Sequence, residues 1–318
     1  MKVPLTMFAP KIVNKIVDRV ASRVLSQSEL RQETLLAGIG LLHEDLESSM
    51  PGRLAEKEFK VFSQFGEDGV LAWLTRDFAP EDRTFVEIGV GSYAEANTRY
   101  LASRSRSPWR GSIIDCEGAH LDFGGHPESW RWNVRPLQAL VRPDNVDAVL
   151  RASGVSGDIG LLSLDIDGLD YWVWDAITSI NPRIVVAEFN FVFGPEATVT
   201  VPFAQEFDMR AAHPSRLYFG ASLTAMVSLS ATRGYHFVGA TSTGVNAFFV
   251  RNDMLDAVWP DFSGTTPMLE WSDGGFGNAR DESGGLLRLS LQEKQYAIGE
   301  CTVFDTSTKK LLSVREAL

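Results

Sequence analysis

The sequence predicts a doubly wound α/β fold, built on a mostly parallel sheet with helices on both faces. Three observations carry this expectation. Apolar runs of strand length take turns with helical patterns from about residue 84 to 189, the order expected of a covered parallel sheet. Several of these runs, such as RIVVAEF at 183 to 189, are apolar without alternation, as strands buried on both faces must be. Two further apolar runs, YHFVGA at 235 to 240 and NAFFVR at 246 to 251, are joined by the polar, glycine-containing TSTG, so a hairpin adds an antiparallel strand at the end.

The first fifty residues stand apart. Ile12, Val13, Ile16, Val17, Val20, Val24 and Leu25 recur at three- and four-residue spacing, with Lys11, Lys15, Arg19 and Arg23 between them, which predicts an amphipathic helix. A second helical run covers about 28 to 48, and SSMPGR at 48 to 53 reads as a linker. The expected organisation is a helical extension over 1–50, a main domain over 51–260 and a C-terminal extension over 261–318 that could act as a lid. The extension packs on the main domain in the simpler reading; a homo-oligomer or membrane-surface contact is the other role open to a basic amphipathic helix.

Strands are expected at 84 to 90, 111 to 115, 133 to 141, 159 to 166 and 183 to 189, and helices near 95 to 105, 144 to 153, 170 to 180 and 215 to 233. The stretch 262 to 285, rich in Gly, Ser and Asp, reads as irregular. No run approaches the roughly 18 to 20 apolar residues of a transmembrane helix, and no signal peptide is recognised, so a soluble, cytoplasmic protein is expected. Two cysteines, Cys116 and Cys301, exclude a disulfide scaffold and a cysteine-rich zinc site. The net charge of −11 argues against nucleic acid as a partner, because phosphate neutralisation needs a concentrated basic face.

The candidate chemistry gathers where strands end. The first strand runs into VEIGVGSYA, placing Glu87, Gly89 and Gly91 at the strand-to-helix turn, where glycine lets the backbone turn sharply and approach a ligand. The same run satisfies G-x-G-x-x-A, so a dinucleotide and another adenosine cofactor stay equally open. Asp115 ends the second strand, a place from which a carboxylate can accept ribose hydroxyls. Asp165, Asp167 and Asp170 follow the fourth strand in LDIDGLDYWVW; Asp165 and Asp167 share a strand face if the strand persists, while Asp170 suits the cap of the next helix. Glu188 and Asn190 end the fifth strand, and with Asp165 they make an oxygen set suited to Mg²⁺ or Mn²⁺. The alternative is that these groups bind the ligand directly or only cap the sheet. His213 is a candidate general base in the segment after that strand. No G-x-S-x-G elbow, Walker loop or C-x-x-C is present.

The sequence of Glu87-x-Gly89-x-Gly91, Asp115, LDIDG and a closing antiparallel hairpin resembles the class I S-adenosylmethionine-dependent methyltransferases, and SLDIDGLDYWVWDAI followed by IVVAEFN is similar to their FkbM-type members. The resemblance covers roughly residues 60 to 253. It implies a Rossmann-like, mostly parallel seven-stranded sheet with an antiparallel final strand, S-adenosyl-L-methionine bound by Glu87, Gly89 and Gly91 at its methionine part and by Asp115 at its ribose, and Asn145 near the adenine. It further implies O-methylation of a hydroxyl in a small-molecule or glycan acceptor, with catechol-type metal positions matched by Asp165, Glu188 and Asn190, although Glu-x-Asn stands here where that pattern has adjacent Asp-Asn. An NAD-dependent oxidoreductase and a non-catalytic binding module are the competing readings.

Overall fold

A computed structural model of the chain describes residues 54–91, 93–104, 108–121, 132–258 and 279–318. The N-terminal extension expected over 1–50 and most of the irregular stretch 262 to 285 lie outside the described residues. Among the described residues, no helix is long and apolar enough to cross a membrane.

In chain order the main elements are α1 (Glu67–Leu74), β1 (Thr84–Ile88), α2 (Arg99–Ser103), β2 (Arg110–Asp115), β3 (Asn133–Gln138), α3 (Val146–Ser153), β4 (Gly157–Leu164), α4 (Asp170–Ala176) and β5 (Ile180–Glu188). They continue with β6 (Val199–Thr200), α5 (Met209–Ala212), α6 (Leu223–Thr232), β7 (Tyr235–Ala240), β8 (Asn246–Arg251) and α7 (Leu255–Val258), then α8 (Leu291–Ala297), β9 (Thr302–Asp305), β10 (Lys310–Ser313) and α9 (Val314–Ala317).

Seven strands form one sheet in the order β3-β2-β1-β4-β5-β8-β7. The five strands from β3 to β5 are parallel, and β8 enters antiparallel between β5 and β7. This is the Rossmann-like, doubly wound α/β sheet with a reversed final strand that the sequence predicts. Its strands are apolar on both faces because both faces are covered. Phe85, Ile113, Leu161, Ile184 and Val186 belong to one core cluster, while the alternate residues Val86, Ile114, Leu162, Val185 and Ala187 belong to the other. The exception is β3, an edge strand paired only with β2, which is largely exposed and tolerates Pro136.

Local chemistry sets several boundaries. Gly154, at φ 83°, ends α3 in the left-handed conformation that glycine adopts without penalty. Ser222 caps α6 by accepting the Ala225 amide, so this helix starts well after residue 215; Ala221 before it bridges to Thr200 instead. The helix expected over 95 to 105 shrinks to α2 because the amides of Asn97 and Thr98 are drawn onto the Glu87 carboxylate.

A second, three-stranded sheet, β10-β9-β6, was not expected from the sequence. The two residues of β6 are too few to show a strand pattern. Ile298, Val303 and Val314 of the C-terminal segment are buried in the same cluster as Val185 and Phe249, so residues 279–318 share the core of the main sheet. Reciprocal Ser–Glu caps, Ser290 with Glu293 and Ser313 with Glu316, fix α8 and α9.

Candidate functional site

The strand order reverses between β1 and β4, since the chain steps outward to β2 and β3 on one side and to β5 on the other. Open α/β sheets bind ligands at that switch point, beyond the carboxyl ends of the strands. A crevice of about 750 Å³ lies there, lined by the turn after β1, the end of β2 and the acidic ends of β4 and β5. That volume lies within the range of small-molecule and cofactor sites.

The two glycines of the first turn have different tasks. Gly89 has φ 80°, and a Cβ on it would stand 1.4 Å from the Asp165 carbonyl oxygen. It is therefore glycine so that the ends of β1 and β4 can meet. Gly91 has φ 57° and nothing within 4 Å of where a Cβ would be, and it lines the crevice. Its amide donates to Asp115 Oδ2 at 2.9 Å, while the Glu117 amide donates to Oδ1 at 2.8 Å. The aspartate ending β2 thus fixes the glycine turn, and the two form one structural unit.

Glu87 is buried, and its carboxylate accepts the Asn97 amide, the Thr98 amide and the Thr98 hydroxyl. It borders the crevice, but these bonds are spent on holding the 94 to 98 loop at the rim. Asn97 in turn donates to Ser163 on β4.

The acidic cluster comes together as Asp165, Asp167 and Glu188, which each bring one carboxylate oxygen within 4.8 Å of the others. Burial and then the charges of Asp167 and Asp170 hold Asp165 well above the ordinary carboxylate range. Burial and then the charges of Asp165, Asp167 and Asp170 do the same for Glu188. Glu188 Oε2 is buried and has no partner beyond this cluster. Asp167 sits at φ 54°, a left-handed conformation that aspartate tolerates better than most residues, and this turns the chain between β4 and α4. The sheared-off strand means Asp165 and Asp167 are not two positions on one strand face, because β4 ends at Leu164.

Asp170 is fully buried and accepts the Ile166 and Gly168 amides, at 2.9 and 3.1 Å. It therefore closes the acidic loop behind it, where the sequence pointed to a cap for the helix ahead. Asn190 is likewise fully buried, and its amide is committed: Nδ2 donates to the Leu217 and Phe219 carbonyls, and Oδ1 accepts the Val192 amide. Among the described residues, the oxygen set that could hold a cation is thus Asp165, Asp167 and Glu188, with Asp167 standing where Asn190 is expected. Asn145 is not among the residues lining the crevice. It accepts the Arg142 amide and donates to the Leu140 carbonyl, so it shapes the 140 to 142 turn that does line it. His213 is also absent from the lining; its Nδ1 is hydrogen bonded with Ser215 Oγ at 2.7 Å, and burial lowers its pKa.

Sequence reasoning passed over Gln64 and Phe65, which line the crevice from the segment before α1. Their signal was the SQFGEDGVL motif, whose GED reads on its own as an acidic first helical turn.

No protein-family model matches this chain, and no curated protein matches it. Among solved structures it is similar to the CurJ carbon methyltransferase, at 10% identity over 57% of this chain and 52% of that one, with a TM-score of 0.37. It is similar to the O-methyltransferase from Bacillus cereus in complex with SAH, at 13% identity over 69% and 89% of the two chains and a TM-score of 0.38. It is also similar to the O-methyltransferase TomG from Streptomyces achromogenes, involved in tomaymycin synthesis and solved in complex with SAM, at 15% identity over 67% and 96% and a TM-score of 0.38. The chain spans about half the length of the first of these.

Proposed function

We propose that the chain is an S-adenosylmethionine-dependent O-methyltransferase of FkbM-like type, acting on a hydroxyl of a sugar, a polysaccharide precursor or a natural product. The observation that carries this reading is the juxtaposition, in one crevice at the switch point, of an open glycine turn pinned by Asp115 and a carboxyl pair, Asp165 and Glu188, whose affinity for protons is raised.

S-adenosylmethionine bound there supplies an electrophilic methyl carbon. The chain's own residues do the rest. Gly91 leaves the crevice floor clear for close approach, and Asp115 accepts hydroxyl donors at the end of β2. Glu87 acts at one remove, holding the loop that carries Glu95 and Ala96 to the rim. An acceptor hydroxyl held at the Asp165 and Glu188 oxygens would give its proton to the Asp165 carboxylate as its oxygen bonds the methyl carbon, while the carbon–sulfur bond of the donor breaks and its electron pair leaves with sulfur as S-adenosylhomocysteine. A carboxylate whose pKa is raised is a better match to that task than an ordinary one, and positioned proton transfer contributes about 10²- to 10⁴-fold. Alignment of the two reacting centres supplies much of the remainder.

Asp165, Asp167 and Glu188 are also a fitting donor set for Mg²⁺ or Mn²⁺, which favour hard oxygen ligands, and the buried, otherwise unpartnered Oε2 of Glu188 supports that fit. Such an ion would lower the pKa of a bound hydroxyl. The partners in this reading are a small-molecule or glycan acceptor and, through the N-terminal extension, a second copy or a membrane surface.

A dinucleotide reading has less support. A dinucleotide's pyrophosphate sits on the N-terminus of a helix that opens at the glycine turn. Here α2 does not begin until Arg99, after a loop gathered onto Glu87. The test is methyl transfer from radiolabelled S-adenosylmethionine to a panel of sugars and phenolic natural products, with Asp165→Asn as the control that must be inactive. Label transferred equally by that variant removes Asp165 from the reaction.

A further inference from the structure

The segment from Val61 to Gly66 is a hook wound around two buried carboxylates. Asp68 Oδ2 accepts three successive amides, from Val61 at 2.7 Å, Phe62 at 2.6 Å and Ser63 at 2.9 Å, and the Asp68 amide returns to Ser63 Oγ at 3.1 Å. Glu67 Oε2 accepts the Phe65 amide at 2.8 Å, and its Oε1 accepts Asn246 Nδ2 at 2.8 Å. Gly66, at φ 111°, closes the turn. Glu67 and Asp68 both have 0% exposure. Burying two carboxylates is costly unless each is well hydrogen bonded, so the fold has invested in the exact path of this short segment.

What the hook presents is narrow. Val61, Phe62, Ser63 and Gly66 are buried; Gln64 is exposed and Phe65 half-buried, and these two line the crevice. The bond from Glu67 to Asn246 also fixes where the hook stands, because Asn246 is the strand partner of Glu188 and lines the same crevice. Phe65 thereby lines a cavity whose other walls include Glu87, Asp165 and Glu188. An aromatic face among carboxylates is the side-chain chemistry that selects a weakly hydrated onium cation, as aromatic cages do for quaternary ammonium groups.

From this arrangement we infer that Phe65 is a contact for the sulfonium of the methyl donor, and that Glu67 and Asp68 are positioning residues that hold it there. The inference rests on the S-adenosylmethionine reading and adds to it the group that distinguishes the charged donor from its neutral product. It makes the crevice a charge-selective one: S-adenosylmethionine carries the sulfonium, and S-adenosylhomocysteine, the thioether left after transfer, does not.

The experiment is isothermal titration of the full chain with each of these two molecules, in the wild type and in Phe65→Leu, Phe65→Tyr and Asp68→Asn. Leucine keeps an apolar side chain and removes the ring. Phe65→Leu is expected to weaken S-adenosylmethionine by about three- to thirty-fold, the span of cation–π contacts from exposed to desolvated, while S-adenosylhomocysteine changes by less than about twofold. Phe65→Tyr, which restores the ring, is expected to keep the wild-type ratio of the two affinities. Asp68→Asn is expected to reduce that ratio in protein whose circular dichroism shows it folded, a shift that a purely structural role would not produce. If Phe65→Leu leaves the ratio unchanged, whether both ligands weaken together or neither does, the inference is overturned. A wild-type chain that binds neither molecule removes the methyl-donor reading itself, and this inference with it.

Discussion

The two glycines after β1 allow a paired test, because the same substitution meets opposite surroundings two residues apart. At Gly91, alanine meets no atom within 4 Å, so the only cost to the fold is the left-handed conformation at φ 57°. That cost is about 1 to 2 kcal/mol for an L-residue. With a melting shift of about 2 to 4 °C per kcal/mol for a domain of about this size, Gly91→Ala should melt about 2 to 8 °C lower. At Gly89 the conformational cost is similar, but the new methyl group would lie 1.4 Å from the Asp165 carbonyl oxygen. No rotamer relieves a clash between Cβ and backbone. The ends of β1 and β4 must part, which gives up the bond from the Asp165 amide to Ile88 O. A loss above about 4 kcal/mol is expected, the size reserved for severe core and backbone disruptions. Ligand binding should show the reverse contrast. The Gly91→Ala methyl occupies the open crevice, so S-adenosylhomocysteine should bind at least about tenfold more weakly, equal to about 1.4 kcal/mol of lost contact, to a protein that remains folded. Differential scanning calorimetry and isothermal titration on the two variants measure both quantities. Equal destabilisation by the two substitutions, or full affinity in Gly91→Ala, would refute the division of labour drawn here.

Asp165→Asn should lower methyl transfer by about 10²-fold or more while S-adenosylhomocysteine affinity changes little, as read by label transfer and titration on the same preparation. The raised pKa of Asp165 means that its basic form is gained as pH rises, so the acid limb of the rate profile should stand well above the ordinary aspartate range. Removing one of the charges that raises it, in Asp167→Asn, should move that limb to lower pH; a limb that does not move assigns the proton to another group. Asp170→Ala should destabilise the chain by about 2 to 3 kcal/mol, because the Ile166 and Gly168 amides lose a buried charged acceptor, and denaturant unfolding with an unchanged slope would measure it. Mn²⁺ added to the wild type should give a bound-ion signal in electron paramagnetic resonance that is lost in Asp167→Asn and kept in Asn190→Ser, since the Asn190 amide is committed to the chain.

The strands, their parallel order and the reversed last strand were legible because burial on two faces writes long apolar runs into β4 and β5, and a polar, glycine-containing turn joins β7 to β8. Gly89, Gly91, Asp115, Asp165 and Glu188 were legible for a related reason: the end of a parallel strand is a fixed place, so residues found there converge. Side chains in the connecting loops carry no such constraint. The sequence places Asn145, Asn190 and His213 near a ligand; in the structure each side chain is hydrogen bonded to backbone or hydroxyl groups of the chain, and of the three Asn190 lines the crevice. Glu87 stands at the right strand end but is spent on a loop whose path no periodicity reveals. The hook at 61 to 66 was hidden because Glu67 and Asp68 look like ordinary first-turn acids of a helix, and only the three-dimensional path shows both of them buried.

The most direct measurement of the central claim is a calorimetric titration of the full chain with S-adenosylhomocysteine and, in parallel, with NADH. Saturable binding of S-adenosylhomocysteine at one site, weakened in Gly91→Ala and with no heat from NADH, is the result expected of this crevice. Binding of NADH with none of S-adenosylhomocysteine would contradict the account.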